Sequence, residues 1–331
     1  MQRWLFLLVV GAGCGRTPPE DQPAAPPPIA ADERCDPRRN RQCVGNDVVA
    51  CEPDGRLGRR LQACRDGCEG GRCMATCADD GVQLIYVVDT ADQLLSFDPR
   101  KLPQDPFQRI GRLDCPGRRG APYSMSVDRH GVAWIIYSGG ELFKVSITDA
   151  RCERVPYDPG ASGFRRFGMG FVTDGPGATT EKLFVSVDDD SHALGTIDPA
   201  RGLATTRIGA LTTDDSRSPE LTGTSEGRLF GFYPGRRGPA FVQEINRSTA
   251  APKGPRWPLG DAPLGEVESW AFAQWAGVFY IFVTTRDPSL ALDSTVRSVD
   301  RATGSYRVVL DHLPYQITGA GVSTCAPERG R

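Results

Sequence analysis

The feature that most constrains this chain is a recurrence. From about Val82 onward, short runs rich in Val, Ile, Phe and Tyr return between Gly, Asp and Pro at intervals of about 45 to 50 residues. One element recurs at residues 94–99, 194–202, 243–248 and 297–304. Each copy is an apolar strand ending in Asp or Asn, a residue whose side chain accepts from the backbone two positions on and so opens a turn. A second element precedes it, at residues 125–137 and 221–232, where two strands flank a tight turn containing Gly. Its starts fall near Tyr123, Phe167, Pro219, Glu268 and Gln316. No segment in this region carries the 3.6-residue periodicity of a long amphipathic helix, so it reads as all-β.

Four strands repeated every 40 to 50 residues is the period of a β-propeller, in which radial repetition leaves only short sheet edges. The two ends of the region fix how the ring closes. Residues 317–322 match an innermost strand with no outer strands after it, whereas residues 84–88, 94–97 and 108–113 are outer strands with no inner strand before them. Joining the ends completes one sheet and gives five blades, with six as the alternative if two repeats are merged. Trp134, Trp270 and Trp275, with Phe171, Phe184, Phe230, Phe272 and Phe279, alternate with smaller residues and are expected to pack between blades.

The N-terminal part follows different rules. After Arg3, residues 4–10 form an apolar stretch too short to span a bilayer as a finished helix, the pattern of a signal h-region. Gly11-Ala12-Gly13-Cys14 resembles the bacterial lipoprotein signal, with Gly11 where Leu is usual. The resemblance implies cleavage before Cys14, a lipid on its thiol and a membrane anchor; Gly15 in the next position implies the outer membrane of a Gram-negative envelope. The expected organisation is a signal peptide at 1–13, the lipidated Cys14 and a Pro-rich linker at 14–34, a disulfide-rich module at 35–77, the propeller at 78–325 and a tail at 326–331. The linker has hardly a large apolar side chain and is expected to be extended.

The module holds Cys35, Cys43, Cys51, Cys64, Cys68, Cys73 and Cys77 among Arg, Asp and Gly. So small and polar a segment cannot hold itself by burial, and its Cys spacing makes no pair of zinc knuckles, so disulfides are expected. With Cys14 consumed, ten Cys allow five bridges. Cys115 and Cys152 lie at or just past the outermost strands of neighbouring blades, which permits a bridge between them. Cys325 must then take a module Cys. Cys77 is the expected partner, which leaves six Cys with 15 possible pairings.

Residues 82–325, with Asp198-Pro199-Ala200-Arg201-Gly202 and Asp300-Arg301-Ala302-Thr303-Gly304 as the clearest marks, resemble propellers of the broad TolB-like, NHL-like and quinoprotein-like kind. That resemblance implies an architecture and no particular activity. The order of lipid Cys, Cys-rich module and propeller also resembles lipoproteins of myxobacteria. Four Lys against 35 Arg accords with a GC-rich genome.

A net charge of −2 without a basic cluster excludes a phosphate-neutralising nucleic-acid binder. Gly223-Thr224-Ser225-Glu226-Gly227 fits G-x-S-x-G but falls on a β-turn, where the strand-to-helix elbow of a nucleophile cannot form. His130, His192 and His312 are the only His, and His130 sits in a hairpin turn. Asp188-Asp189-Asp190-Ser191-His192 is the one acidic cluster considered for Ca²⁺; like Asp214-Asp215 it reads first as a solvated loop. No other cofactor or metal site is expected. The face built by loops entering the innermost strands and by loops between second and third strands would carry Tyr123, Arg165, Arg166, Asp190, His192, Glu220, Glu268 and Tyr315. The expected function is a non-enzymatic binding or scaffold module on a membrane anchor, for a protein, peptide or glycan partner. The rival is a metal-dependent propeller hydrolase or lyase of the lactonase type.

Overall fold

The computed structural model describes residues 34–64, 67–74, 77, 79–213 and 216–328. The expected signal segment, Cys14 and most of the Pro-rich linker lie outside the described residues, as do Asp214 and Asp215. No helix among the described residues is long and apolar enough to cross a membrane.

In the module, β1 (Arg41–Val44), β2 (Asp47–Cys51) and β3 (Leu57–Ala63) form one antiparallel sheet, and β4 (Cys68–Glu69) and β5 (Arg72–Cys73) a small second one. Its buried aliphatic side chains are Val48 and Val49. Cross-links substitute for a core: Cys35 joins Cys51, Cys43 joins Cys68 and Cys64 joins Cys73. They constrain the unfolded chain in place of burial.

The remaining strands make five four-stranded antiparallel sheets. One contains β6 (Ile85–Asp89), β7 (Gln93–Phe97) and β8 (Phe107–Arg112). The next runs through β9 (Pro122–Val127), β10 (Val132–Tyr137), β11 (Leu142–Ser146) and β12 (Cys152–Arg154). A third holds β13 (Phe167–Thr173), β14 (Glu181–Val187), β15 (Ala193–Asp198) and β16 (Ala204–Ala210). The fourth holds β17 (Glu220–Gly223), β18 (Leu229–Tyr233), β19 (Phe241–Ile245) and β20 (Pro252–Pro258). The fifth holds β21 (Glu266–Trp275), β22 (Val278–Arg286), β23 (Leu292–Asp300) and β24 (Tyr306–Leu310). The last strand, β25 (Ile317–Val322), returns to pair with β6, Val322 opposite Ile85.

Contacts between β9 and β13, β13 and β17, β17 and β21, β21 and β25, and β25 and β9 close a propeller-like ring. These inner strands begin within two residues of the starts read from the sequence. Their close approach requires small residues. A Cβ on Gly168 would come within 2.5 Å of the Pro219 carbonyl oxygen, and one on Gly321 within 2.7 Å of the Ser126 backbone. Asp98, Asp198, Asn246 and Asp300 each accept from the backbone N–H two residues on, at 2.9–3.1 Å. Local side-chain chemistry thus sets the turn after the third strand of four sheets.

The core lies between sheets. Trp134 meets Phe171 edge-on at 5.9 Å, and Phe230, Phe272 and Phe279 pack with Trp257 in another layer. Burying each such aromatic side chain contributes about 1.5–3 kcal/mol.

On the lower face, where first strands turn into second strands, Cys77 bonds Cys325 across a sequence separation of 248. The second ring disulfide, Cys115–Cys152, links the segment just past β8 to β12 of the adjacent sheet. The segment set apart as a tail is described through Glu328, and it packs against this face. The Pro327 carbonyl accepts from Ala276 N–H at 2.7 Å. The Glu328 carboxylate accepts from Ser225 N–H at 2.7 Å, Ser225 Oγ at 2.9 Å and Arg301 Nη1 at 3.2 Å. Ser225 is therefore a turn residue engaged by a carboxylate.

Candidate functional site

The upper face, where chains enter the inner strands, carries a cavity of about 480 Å³ whose wall includes Ser138, Arg165, Arg166, Asp188 and Asp189. The two arginines are presented by a one-turn helix, Pro159–Ser162, that the sequence caps at both ends. Asp158 accepts from the N–H groups of Gly160 and Ala161, and Gly163 ends the turn at a φ of 71°. Tyr157 Oη then donates to the Phe164 carbonyl at 2.5 Å, and buried Phe164 fixes the chain from which Arg165 and Arg166 project into solvent.

Asp188 leaves the end of β14, its N–H bonded to the Arg166 carbonyl at 2.8 Å. Its carboxylate lies 3.6 Å from the Arg166 guanidinium, which in turn stands 5.7 Å from the centroid of the Tyr123 ring. Burial, the Asp188 charge and a hydrogen bond to that carboxylate hold the Tyr123 phenol well above its ordinary range. Its hydroxyl therefore stays protonated and donates to Asp188.

Beneath them, Glu220 opens β17. Ser124 Oγ donates to its Oε2 at 2.8 Å, and the Met169 N–H donates as well, so three inner strands meet at one carboxyl. Burial, chiefly, and the nearby Asp188 charge raise its proton affinity far above that of an exposed Glu, against the opposing effect of those two donors. Glu220 is thus a buried carboxyl with a raised proton affinity, set close to the carboxyl of Asp188.

The other face residues expected from the sequence are distributed around this centre. Asp190 is exposed in the loop after β14. Ser218 Oγ donates to the Val187 carbonyl at 2.6 Å and meets His192 Nδ1 at 2.9 Å. With the serine proton committed, Nδ1 is the donor. Glu268 accepts from Arg286 Nε at 2.6 Å, which holds its carboxyl below the ordinary range. Tyr315 lies apart from this group, its ring 5.5 Å from Phe107 in the apolar layer between two sheets. His312 pairs with Asp293 on the surface at 3.0 Å. Asp189 accepts from Ser191 N–H at 2.8 Å within its own turn. No group of three or more His, Cys, Asp or Glu among the described residues is arranged to hold a metal ion.

Ser124 and Ser218 escaped the sequence reading, and Asp188 entered it only as part of an acidic run. Glu220 carried the one usable signal, a carboxylate at the head of an apolar strand.

No protein-family model matches the chain, and no curated protein does. Among solved structures it is similar to an alpha-L-arabinofuranosidase from Clostridium thermocellum, at 12% identity over 59% of this chain and 74% of that one, with a TM-score of 0.42. It is also similar to the WD40 repeats of RRP9, at 10% identity over 76% and 83% of the two chains and a TM-score of 0.40. A glycoside hydrolase gives 10% identity over 61% of this chain, with a TM-score of 0.39, and the match spans only 53% of that protein's length. None of these likenesses bears on activity.

Proposed function

We propose that this chain is an extracytoplasmic binding protein, held on the envelope by a lipid at Cys14, in which a five-bladed propeller presents its upper mouth to a protein, peptide or glycan. The partner offers an anionic group to Arg165 and Arg166 and hydroxyl or amine donors to the carboxylates of Asp188, Asp189 and Asp190. What supports this reading above all is the pair of exposed guanidiniums beside a cavity whose wall carries Asp188, itself held next to the buried Tyr123, Ser124 and Glu220 network. A carboxylate already held in place beside a charged rim favours binding, because less side-chain freedom remains to be lost. Arrays of acidic glycans and peptides probed with the purified chain test it. Arg165→Glu/Arg166→Glu should lower binding at least tenfold, and undiminished binding would refute the mouth as the site. Cys14→Ser should move the protein from the membrane to the soluble fraction; unchanged membrane association would remove the anchor from this proposal.

One observation favours the hydrolase or lyase alternative. Glu220, whose proton affinity burial raises, lies near the less buried Asp188, and two carboxyls in such unlike surroundings are the arrangement that general acid–base chemistry uses. Turnover of a lactone or ester that Glu220→Gln abolishes without loss of binding would favour catalysis over binding alone.

A further inference from the structure

Away from the upper mouth, a cleft of about 430 Å³ runs between the disulfide module and the outer edge of the ring. Arg39 and Arg41 enter it from the module, Lys144, Glu153 and Arg154 from β11 and β12, and the turn Pro199–Arg201 approaches from the next sheet. Among the described residues its charge is mostly positive. Arg39 has Glu153 at 3.6 Å, and the Lys144 ammonium stands 4.9 Å from the centroid of the Trp134 ring. The guanidiniums of Arg41 and Arg154 have no hydrogen-bond or ion-pair partner among the described residues. Close by, Arg72 and Arg151 share one carboxylate, that of Asp149. Six cationic side chains thus gather around two described carboxylates. Burial and the repulsion of Arg151 and Arg41 lower the proton affinity of Arg72, so the fold holds these like charges together against their mutual repulsion.

We propose that this cleft binds a phosphoryl anion, clamped by Arg41 and Arg154, with Arg39 and Lys144 completing the charge around it. A guanidinium fork matches the paired oxygens of a phosphate, and two forks facing one space suit an ion that carries more than one charge. The volume fits a headgroup-sized ligand and excludes a folded partner. Free phosphate esters and the headgroups of anionic lipids share this chemistry. The inference is independent of the upper mouth.

The test uses the full chain carrying Cys14→Ser, so that no lipid anchor contributes. Inorganic pyrophosphate is titrated by calorimetry, and sedimentation is measured with vesicles of phosphatidylglycerol in phosphatidylcholine and with phosphatidylcholine alone. The expected result is binding of pyrophosphate, of the anionic vesicles, or of both, weakened about tenfold for each arginine removed. Arg41→Glu/Arg154→Glu should nearly abolish it, Arg41→Gln/Arg154→Gln should reduce it with the surface otherwise conserved, and Arg109→Glu/Arg307→Glu, at exposed arginines outside both sites, should leave it intact. Pyrophosphate binding alone would support a free phosphate ester, and vesicle binding alone a lipid headgroup. Binding of neither probe, equal binding to neutral vesicles, or binding indifferent to the Arg41 and Arg154 substitutions would overturn the proposal.

Discussion

The two faces of the ring are finished in different ways. The lower face is tied across. Cys77–Cys325 joins the strand that closes the ring to the segment leading into it, and Glu328 binds turns from two sheets. Trp275 Nε1 donates to the Gln83 carbonyl at 2.6 Å, and Thr324 Oγ1 donates to Glu181 at 2.6 Å. The upper face has its polar network below the surface, in Tyr123, Asp188, Ser124 and Glu220, and leaves Arg165 and Arg166 in solvent. One face therefore resists opening of the ring, while the other holds charge available to a partner. Substitutions below should change stability and spare binding; substitutions at the upper rim should do the reverse.

The largest effect is expected at the closing disulfide. Cys77→Ser/Cys325→Ser should lower unfolding stability by about 5 kcal/mol, from the loop entropy that a cross-link of this span removes from the unfolded chain. Denaturant titration measures it. An unchanged midpoint would show that β25 pairing alone closes the ring.

Glu181 comes next. Burial, partly opposed by its hydrogen bonds from Thr324 and Arg129, pushes its carboxyl up to about 7. Because the folded value lies above the unfolded one, its contribution to stability is whole below about pH 4.5 and is lost as pH rises through about 7. That loss amounts to about 3 kcal/mol. The difference between wild type and Glu181→Gln, followed by denaturation from pH 4 to 8, should develop in that interval. A difference constant with pH would place the titration elsewhere.

Glu328→Ala removes three hydrogen bonds from the lower face and should cost about 1–3 kcal/mol, read by thermal unfolding. Binding at the upper mouth should be unaffected below the transition. The smallest stability effect belongs to Arg165→Glu, within about 0.5 kcal/mol, since that side chain is exposed. A larger loss would make this arginine structural and erase the contrast between the faces.

Much of this architecture was legible because its determinants are local. An Asp at the end of a strand accepts from the next turn wherever that strand lies, so Asp98, Asp198 and Asp300 could be read in isolation. Strand alternation likewise placed Trp134 and Phe279 between sheets. The odd count of seven gave Cys325 a partner in the module, and the position of Cys77 at the entry to the ring singled it out, but the other six stayed open, since spacing says nothing of which loops fold back on which.

The candidate site was legible only in outline. Tyr123, Arg166 and Glu220 could be assigned to one face from their register, but nothing linear links Glu220 to Ser124, 96 residues away and two inner strands around the ring. The same limit applied to Tyr315, whose ring is drawn toward Phe107 by the apolar layer between sheets. It applied also to Glu328, whose partners come from two other sheets.

The sequence by itself determined that the chain is all-β, repeats every 45 to 50 residues and relies on disulfides where it has no core, because periodicity, turn chemistry and cysteine number act over a few residues. Only the tertiary structure decided which carboxyl has its proton affinity raised, which face is tied shut and where arginines gather. Those properties depend on burial and charge proximity, which arise when segments distant in the chain are brought within a few ångströms.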